Sequence, residues 1–174
     1  QDKTGGKSDF HYPQKTNLKC AVIVCSDSVS SGAKQDTAGK AIVEKLKAYQ
    51  VETAGYDVVP DRIDAIRNKT IALSEQQFDL IIFTGGTGLS PTDVTPEALL
   101  PLIDKPIPGL MEAARKYGQE RTPYAMLSRG VSGYIGNTLV IALPGSAKGV
   151  SESMDALFPA ILHVFAVKEG KQHE

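Results

Sequence analysis

The chain has 174 residues, 41% hydrophobic and 22% charged, which suits one globular domain and excludes a collagen-like, coiled-coil or wholly disordered chain. Nineteen Lys and Arg stand against twenty Asp and Glu, a formal charge of -1, so no net field draws it to nucleic acid or to an anionic membrane. A chain of this length buries on the order of 70% of its unfolded surface, enough for a core without a disulfide or metal staple.

Residues 1–17, QDKTGGKSDFHYPQKTN, show no periodicity and read as a flexible leader or inter-domain linker. Because the chain begins with Gln, we expect it to be cut from something longer. A globular domain is expected over 18–167, followed by a short charged tail over 168–174. The run LKCAVIVC, Leu18 to Cys25, predicts a buried strand with a turn-forming exit. Asp36 or Thr37 can cap a helix carrying Ala38, Ile42, Leu46 and Tyr49 on one face, and a second apolar stretch follows from Val51. A rougher helical pattern, Ile63, Ile66, Ile71 and Leu73, precedes a strand that ends at Phe83. After a long Gly/Thr/Pro loop, a helix from about Pro108 turns Leu110, Met111, Ala114 and Tyr117 inward. Two further strands are predicted over roughly Tyr124–Ser128 and Thr138–Leu143. Val150, Met154, Leu157, Ile161 and Phe165 then define a closing helix. Strands alternating with helices predict an α/β fold whose mostly parallel sheet is covered on both faces.

Cys20 and Cys25 lie five residues apart on one strand and so face opposite ways, two buried thiols that suit a reducing cytoplasm. No apolar run approaches the roughly 20 residues of a membrane span, and the first twenty residues are unlike a signal peptide; the expectation is a cytoplasmic protein.

Ligand crevices of open α/β sheets lie beyond the carboxyl ends of the strands. There the chain places Ser26 and Asp27, then Asp61, then Thr84 to Gly88, and finally Gly145 and Ser146. TGGTG supplies three glycines in five residues, a backbone able to present several N–H groups to a phosphate or simply to turn. Ser146 can line the same crevice or cap the closing helix. Asp61 and Asp93 could share Mg²⁺ beside a phosphate; equally, Asp61 could cap the next helix and Asp93 could bond its own turn. Thr95-Pro96-Glu97 reads as a helix start, and Arg129 as either an anion fork or an ion-pair partner. The histidines, His11, His163 and His173, form no cluster in sequence.

The ordered set TGGTGLSPTDVTPEAL, IPGL, AMLSRGVSGYIGNTL and LPGSAKGV closely resembles the molybdopterin-binding family of molybdenum cofactor biosynthesis, over about Leu18 to Leu162. The resemblance implies a three-layer α/β/α sandwich, the molybdopterin-binding fold, assembled as a homotrimer. It also implies molybdopterin adenylyltransferase activity, in which adenylyl is transferred from Mg-ATP to the terminal phosphate of molybdopterin and pyrophosphate leaves. The family's two functional aspartates fall on Asp61 and Asp93, which would hold the metal. Gly85, Gly86, Thr87 and Gly88 match its phosphate cradle, with Ser26, Asp27, Ser128, Gly145 and Ser146 as neighbours that contact pterin or phosphate. Many members carry arginine where this chain has Thr92 and Ile135, a departure that would weaken the hold on anions. A non-catalytic pterin-binding or scaffold module is therefore the alternative, and a nucleotide pyrophosphatase sharing the domain is a third reading. DKTGGKS resembles the closing segment of cyclic pyranopterin monophosphate synthase, which implies a fused partner; a downstream molybdenum insertase is the other implied partner.

Overall fold

A computed structural model describes residues 17–168; the rest of the expected leader and of the charged tail, with His11 and His173, lie outside the described residues. The first strand, β1 (Cys20–Cys25), is buried at all six positions. Ser26 ends it and caps a single turn, α1 (Asp27–Ser30), its Oγ accepting the Val29 N–H at 3.2 Å. The α2 helix (Ala38–Ala48) is capped by Asp36, whose Oδ1 accepts the Gly39 N–H at 2.8 Å; Thr37 makes no cap bond. Then come β2 (Thr53–Val59), α3 (Ile63–Glu75) and β3 (Leu80–Thr84). After the glycine-rich loop follow α4 (Thr95–Leu99), the two-residue β4 (Lys105–Pro106) and α5 (Pro108–Gln119). The chain closes with β5 (Ser132–Ile135), β6 (Thr138–Leu143), α6 (Ala147–Leu157) and α7 (His163–Lys168).

The strands form one sheet in the order β2-β1-β3-β6-β5-β4. The first four of that row run parallel, and β5 and β4 continue it antiparallel. Central strands covered on both faces read as unbroken apolar runs, which is why CAVIVC, LIIFT and TLVIAL stood out in the sequence. Alternate residues feed two cores. Cys20, Val22, Leu80, Ile82, Leu139 and Ile141 pack under α2, α5 and α6, while Ala21, Ile23, Ile81, Phe83, Val140 and Ala142 pack under α3 and α4. The sheet is thus the middle layer of the expected three-layer sandwich. Cys20 and Cys25 fall into opposite cores as free thiols, and burial pushes both up to about 12, so neither is a thiolate at neutral pH.

Three expectations need correction. Residues Tyr124–Ser128 form no strand: Ala125–Leu127 is a single 3-10 turn, held by Gln119 Oε1 accepting the Met126 N–H at 3.0 Å, and Tyr124 and Met126 face solvent. The antiparallel neighbour of β6 is SGYI instead. In α3 the buried stripe is Ile66, Thr70 and Leu73, whereas Ile63 and Ile71 are exposed; Thr70 tolerates burial because its hydroxyl donates to the Ile66 carbonyl at 2.6 Å. The closing helix buries Val150, Met154, Leu157, Ile161 and Phe165 as expected, yet it breaks after Leu157. Phe158 is extended there because Pro159 crowds a helical conformation at the residue before it. No single helix among the described residues is long and apolar enough to cross a membrane, and the buried apolar residues of Ala147–Leu157 and Ala160–Val167 pack into the core.

Candidate functional site

Four strand ends converge at the carboxyl edge of the parallel strands. Gly85 N–H donates to the Leu143 carbonyl at 3.1 Å and Thr84 Oγ1 to the Pro144 carbonyl at 2.6 Å, so the loops after β3 and β6 are tied together. Ser26 N–H donates to the Val59 carbonyl at 3.0 Å, tying the end of β1 to that of β2. Across the same seam Asp27 and Asp61 exchange bonds: Asp27 N–H donates to Asp61 Oδ2 at 3.0 Å, and Asp61 N–H donates to Asp27 Oδ1 at 2.9 Å.

Asp61 does not cap α3, whose first residue follows Arg62 with no side-chain cap bond. Its other oxygen, Oδ1, is buried and has no hydrogen-bond partner. Burial raises the Asp61 pKa; the Asp27 N–H works the other way, and the negative charges of Asp27 and Asp93 push it up further. Three carboxylates therefore share one electrostatic neighbourhood, and one buried oxygen of Asp61 has no hydrogen bond within it.

The TGGTG loop is shaped around two of these carboxylates. Gly85 and Gly86 take φ of 98° and 70°, a region side chains resist. A Cβ on Gly86 would lie 3.3 Å from Asp61 Oδ1 and overlap Thr95 Oγ1, and one on Gly88 would lie 2.8 Å from Asp93 Oδ2. Bare Cα atoms two residues apart thus sit against Asp61 and Asp93, and two extended residues span at most about 7 Å. The loop is pinned from below by Thr95, whose Oγ1 donates to the Gly85 carbonyl at 2.8 Å and whose N–H donates to the Gly86 carbonyl at 3.1 Å. Val94, not Thr95, occupies the cap position of α4. Asp93 Oδ2 accepts the Ser90 N–H at 2.9 Å, so its expected turn bond forms.

A family model described as a probable molybdopterin binding domain matches residues 21–163. The chain belongs to this molybdopterin-binding domain family. The bifunctional molybdenum cofactor biosynthesis protein of Chlorobaculum tepidum is 35% identical over 172 residues, covering 98% of this chain. The chain spans about half the length of that relative, 54%. The molybdopterin adenylyltransferase of Helicobacter pylori strain J99 is 39% identical over 147 residues, 83% of this chain and 84% of that one. Among solved structures, the molybdopterin biosynthesis enzyme MoaB of Thermus thermophilus superposes with a TM-score of 0.83 at 40% identity, over 90% of this chain and 99% of that one. Membership places this molybdopterin-binding domain in molybdenum cofactor biosynthesis and accounts for its fold.

Five of the domain's candidate residues line two concavities at the Pro144–Ser146 turn, whereas Asp27, Asp61, Gly86, Thr87, Gly88 and Asp93 line neither. A small one holds Ser26, Gly85 and Gly145 together with Lys34, a cation that sequence reading missed because nothing in its loop marks it. A second, of about 200 Å³, lies between α5 and the start of α6 and holds Ser128 and Ser146 with Arg115 and Glu152. Ser26 and Ser146 both spend their hydroxyl oxygens as helix caps, Ser146 Oγ accepting the Gly149 N–H at 3.0 Å. Thr87 is buried, and its carbonyl accepts the Arg129 N–H at 2.8 Å. A larger apolar groove of about 970 Å³, lined by Ile107, Leu110, Tyr134 and Ile161, lies away from all of these carboxylates.

The two departures from the family pattern differ in place. Thr92 stands beside Asp93, its hydroxyl 3.2 Å from that of Ser90. Ile135 pairs with Thr138 at the far end of β6, five residue steps or about 17 Å from the strand end that faces the site. In this chain, then, arginine at 135 would not reach the aspartates.

Proposed function

We propose that this domain is a molybdopterin adenylyltransferase, joining the terminal phosphate of molybdopterin to the α-phosphorus of ATP with departure of pyrophosphate. The observation that carries this reading is the buried, unpartnered Oδ1 of Asp61, set against Gly86 and within the field of Asp93. An uncompensated carboxylate oxygen beside other carboxylates suits a hard cation. Asp27, Asp61 and Asp93 do not form a ready three-ligand cluster, so the reading has Mg²⁺ held by one or two carboxylates plus substrate phosphates and water.

Asp61 and Asp93 would hold Mg²⁺, which supplies charge neutralisation between two anionic reactants. Asp27 holds Asp61 in place through the paired main-chain bonds. The amides of Gly86, Thr87 and Gly88 would face the phosphates, the Gly85 amide being held by the Leu143 carbonyl, and Gly145 lets the β6 turn approach Gly85 closely, a Cβ there lying 3.3 Å from the Gly85 Cα. Ser26 and Lys34 line the smaller concavity and Ser128 and Ser146 the larger, so two substrates can meet across the Pro144–Ser146 turn. No side chain need act as nucleophile, since molybdopterin brings its own phosphate; alignment and electrostatics supply the rate.

The resemblance further supports a cytoplasmic homotrimer. It also supports a fused cyclic pyranopterin monophosphate synthase domain as a partner, and hand-over of product to a molybdenum insertase. The decisive experiment incubates the domain with molybdopterin, Mg²⁺ and ATP and follows adenylylated molybdopterin and pyrophosphate by mass spectrometry. Both products are expected. Tight pterin binding without either would establish the binding module instead.

A further inference from the structure

Arg129 is the most heavily used side chain around the glycine loop, yet it does not contact the carboxylates that define the site. Its Nε donates to the Gly88 carbonyl at 2.8 Å, its Nη2 to the Asp93 carbonyl at 3.0 Å and its Nη1 to Glu97 Oε1 at 2.5 Å. Its own N–H holds the Thr87 carbonyl. Gly88 and Asp93 are the two ends of the LSPT excursion, so one guanidinium staples both feet of the segment that delivers Asp93. Only a planar fork reaches three acceptors in three directions; an ammonium at the same place would serve one or two.

The choice of acceptors matters as much as their number. By gripping the main-chain carbonyl of Asp93, Arg129 fixes that residue without pairing with its carboxylate, which accepts from Ser90 N–H instead. Glu97 meanwhile takes up the guanidinium charge, and the pair lowers the Glu97 pKa. We infer that Arg129 and Glu97 are a positioning pair: Arg129 sets where the Asp93 carboxylate stands, and Glu97 keeps the arginine's charge from opposing a cation bound there.

This inference rests on the adenylyl-transfer reading for its kinetic consequences, and its test separates the two. The full chain, its Arg129→Lys variant and its Glu97→Gln variant are titrated with Mg²⁺ alone while the Gly88, Ser90 and Asp93 amides are followed by NMR, and turnover is then measured. Arg129→Lys is expected to shift the Ser90 amide before any metal is added, and to lower kcat on the order of 10-fold with the KM for ATP within about two-fold. Glu97→Gln is expected to keep the unfolding temperature and to raise half-saturating Mg²⁺ about three- to five-fold, because an unneutralised guanidinium then stands beside the metal. Unchanged Mg²⁺ affinity in Glu97→Gln, or an unmoved Ser90 amide in a folded Arg129→Lys, overturns the inference. Should Arg129→Lys fail to fold, Glu97→Gln decides alone. Absence of product from the unaltered chain defeats the adenylyl-transfer reading and leaves the amide and Mg²⁺ readouts to judge the pair.

Discussion

The two ends of the parallel strands are built to opposite rules. At the amino end polar groups are matched: Lys19 N–H donates to Asp79 Oδ2 at 2.9 Å, the Lys19 ammonium donates to the Gln76 carbonyl at 2.8 Å and lies 4.3 Å from the centre of the Phe78 ring, and Thr138 Oγ1 donates to the Phe78 carbonyl at 2.7 Å. At the carboxyl end Asp27 and Asp61 are held by each other's amides, one buried oxygen has no hydrogen-bond partner, and the nearby arginine is turned toward main chain and Glu97. Matched charge serves stability, whereas like charge held together in a crevice costs stability and invites a cation. The difference singles out the carboxyl end as the place for the proposed site.

The strongest way to break that contrast is to remove the charge at its centre. Asp61→Asn keeps an oxygen able to accept the Asp27 N–H but loses the negative charge, so adenylyl transfer should fall on the order of 10²- to 10³-fold. The unfolding temperature without metal should equal or exceed that of the unaltered chain. The sign follows from linkage: with its pKa raised on folding, Asp61 binds its proton more tightly folded than unfolded, so stability declines as pH rises through that range. Mg²⁺ needs the ionised form, so the acid limb of turnover should lie above the ordinary Asp range, and the decline in stability with rising pH should be absent from Asp61→Asn. A fall in stability on substitution would show that Asp61 is structural after all.

Next in size is Gly86→Ala. The substitution meets both a positive φ and overlap with Thr95 Oγ1, so either the glycine loop or Thr95 must give way. A backbone strain of about 1–3 kcal/mol is expected, with adenylyl transfer reduced more than stability because the displaced segment abuts Asp61. Calorimetry and turnover on the same sample check it.

Much of this was legible in the sequence, for identifiable reasons. Strands buried on both faces write themselves as apolar runs, and the rule that ligand crevices follow strand ends points to Ser26, Asp61, Gly85 and Ser146. The misread turn at Tyr124–Ser128 shows the converse: Tyr124 and Met126 look like strand residues but stay exposed. SGYI carries no such mark, because its strand character comes from pairing with β6, not from its side chains. The Arg129 clamp was illegible because its acceptors include main-chain carbonyls 36 and 41 residues away, which leave no mark in side-chain chemistry. Nor could sequence show that Arg62 leaves α3 uncapped and Asp61 free for Asp27; that depends on β1 and β2 ending side by side.

The smallest expected effect sharpens the comparison from the other end. Thr138 is 1% exposed, and its hydroxyl serves the Phe78 carbonyl beneath the sheet. Thr138→Val is close to isosteric, keeps the β-branched shape that β6 favours, and leaves that carbonyl without its donor. The loss should be about 1–2 kcal/mol, a fall of about 2–8 °C in unfolding temperature for a domain of this size. The kcat and half-saturating Mg²⁺ should stay unchanged, because the length of β6 separates this bond from Asp61 and Asp93. A matching drop in kcat would mean that strain at the amino end reaches the aspartates through the rigid central strands, and the two ends could then no longer be treated as separate.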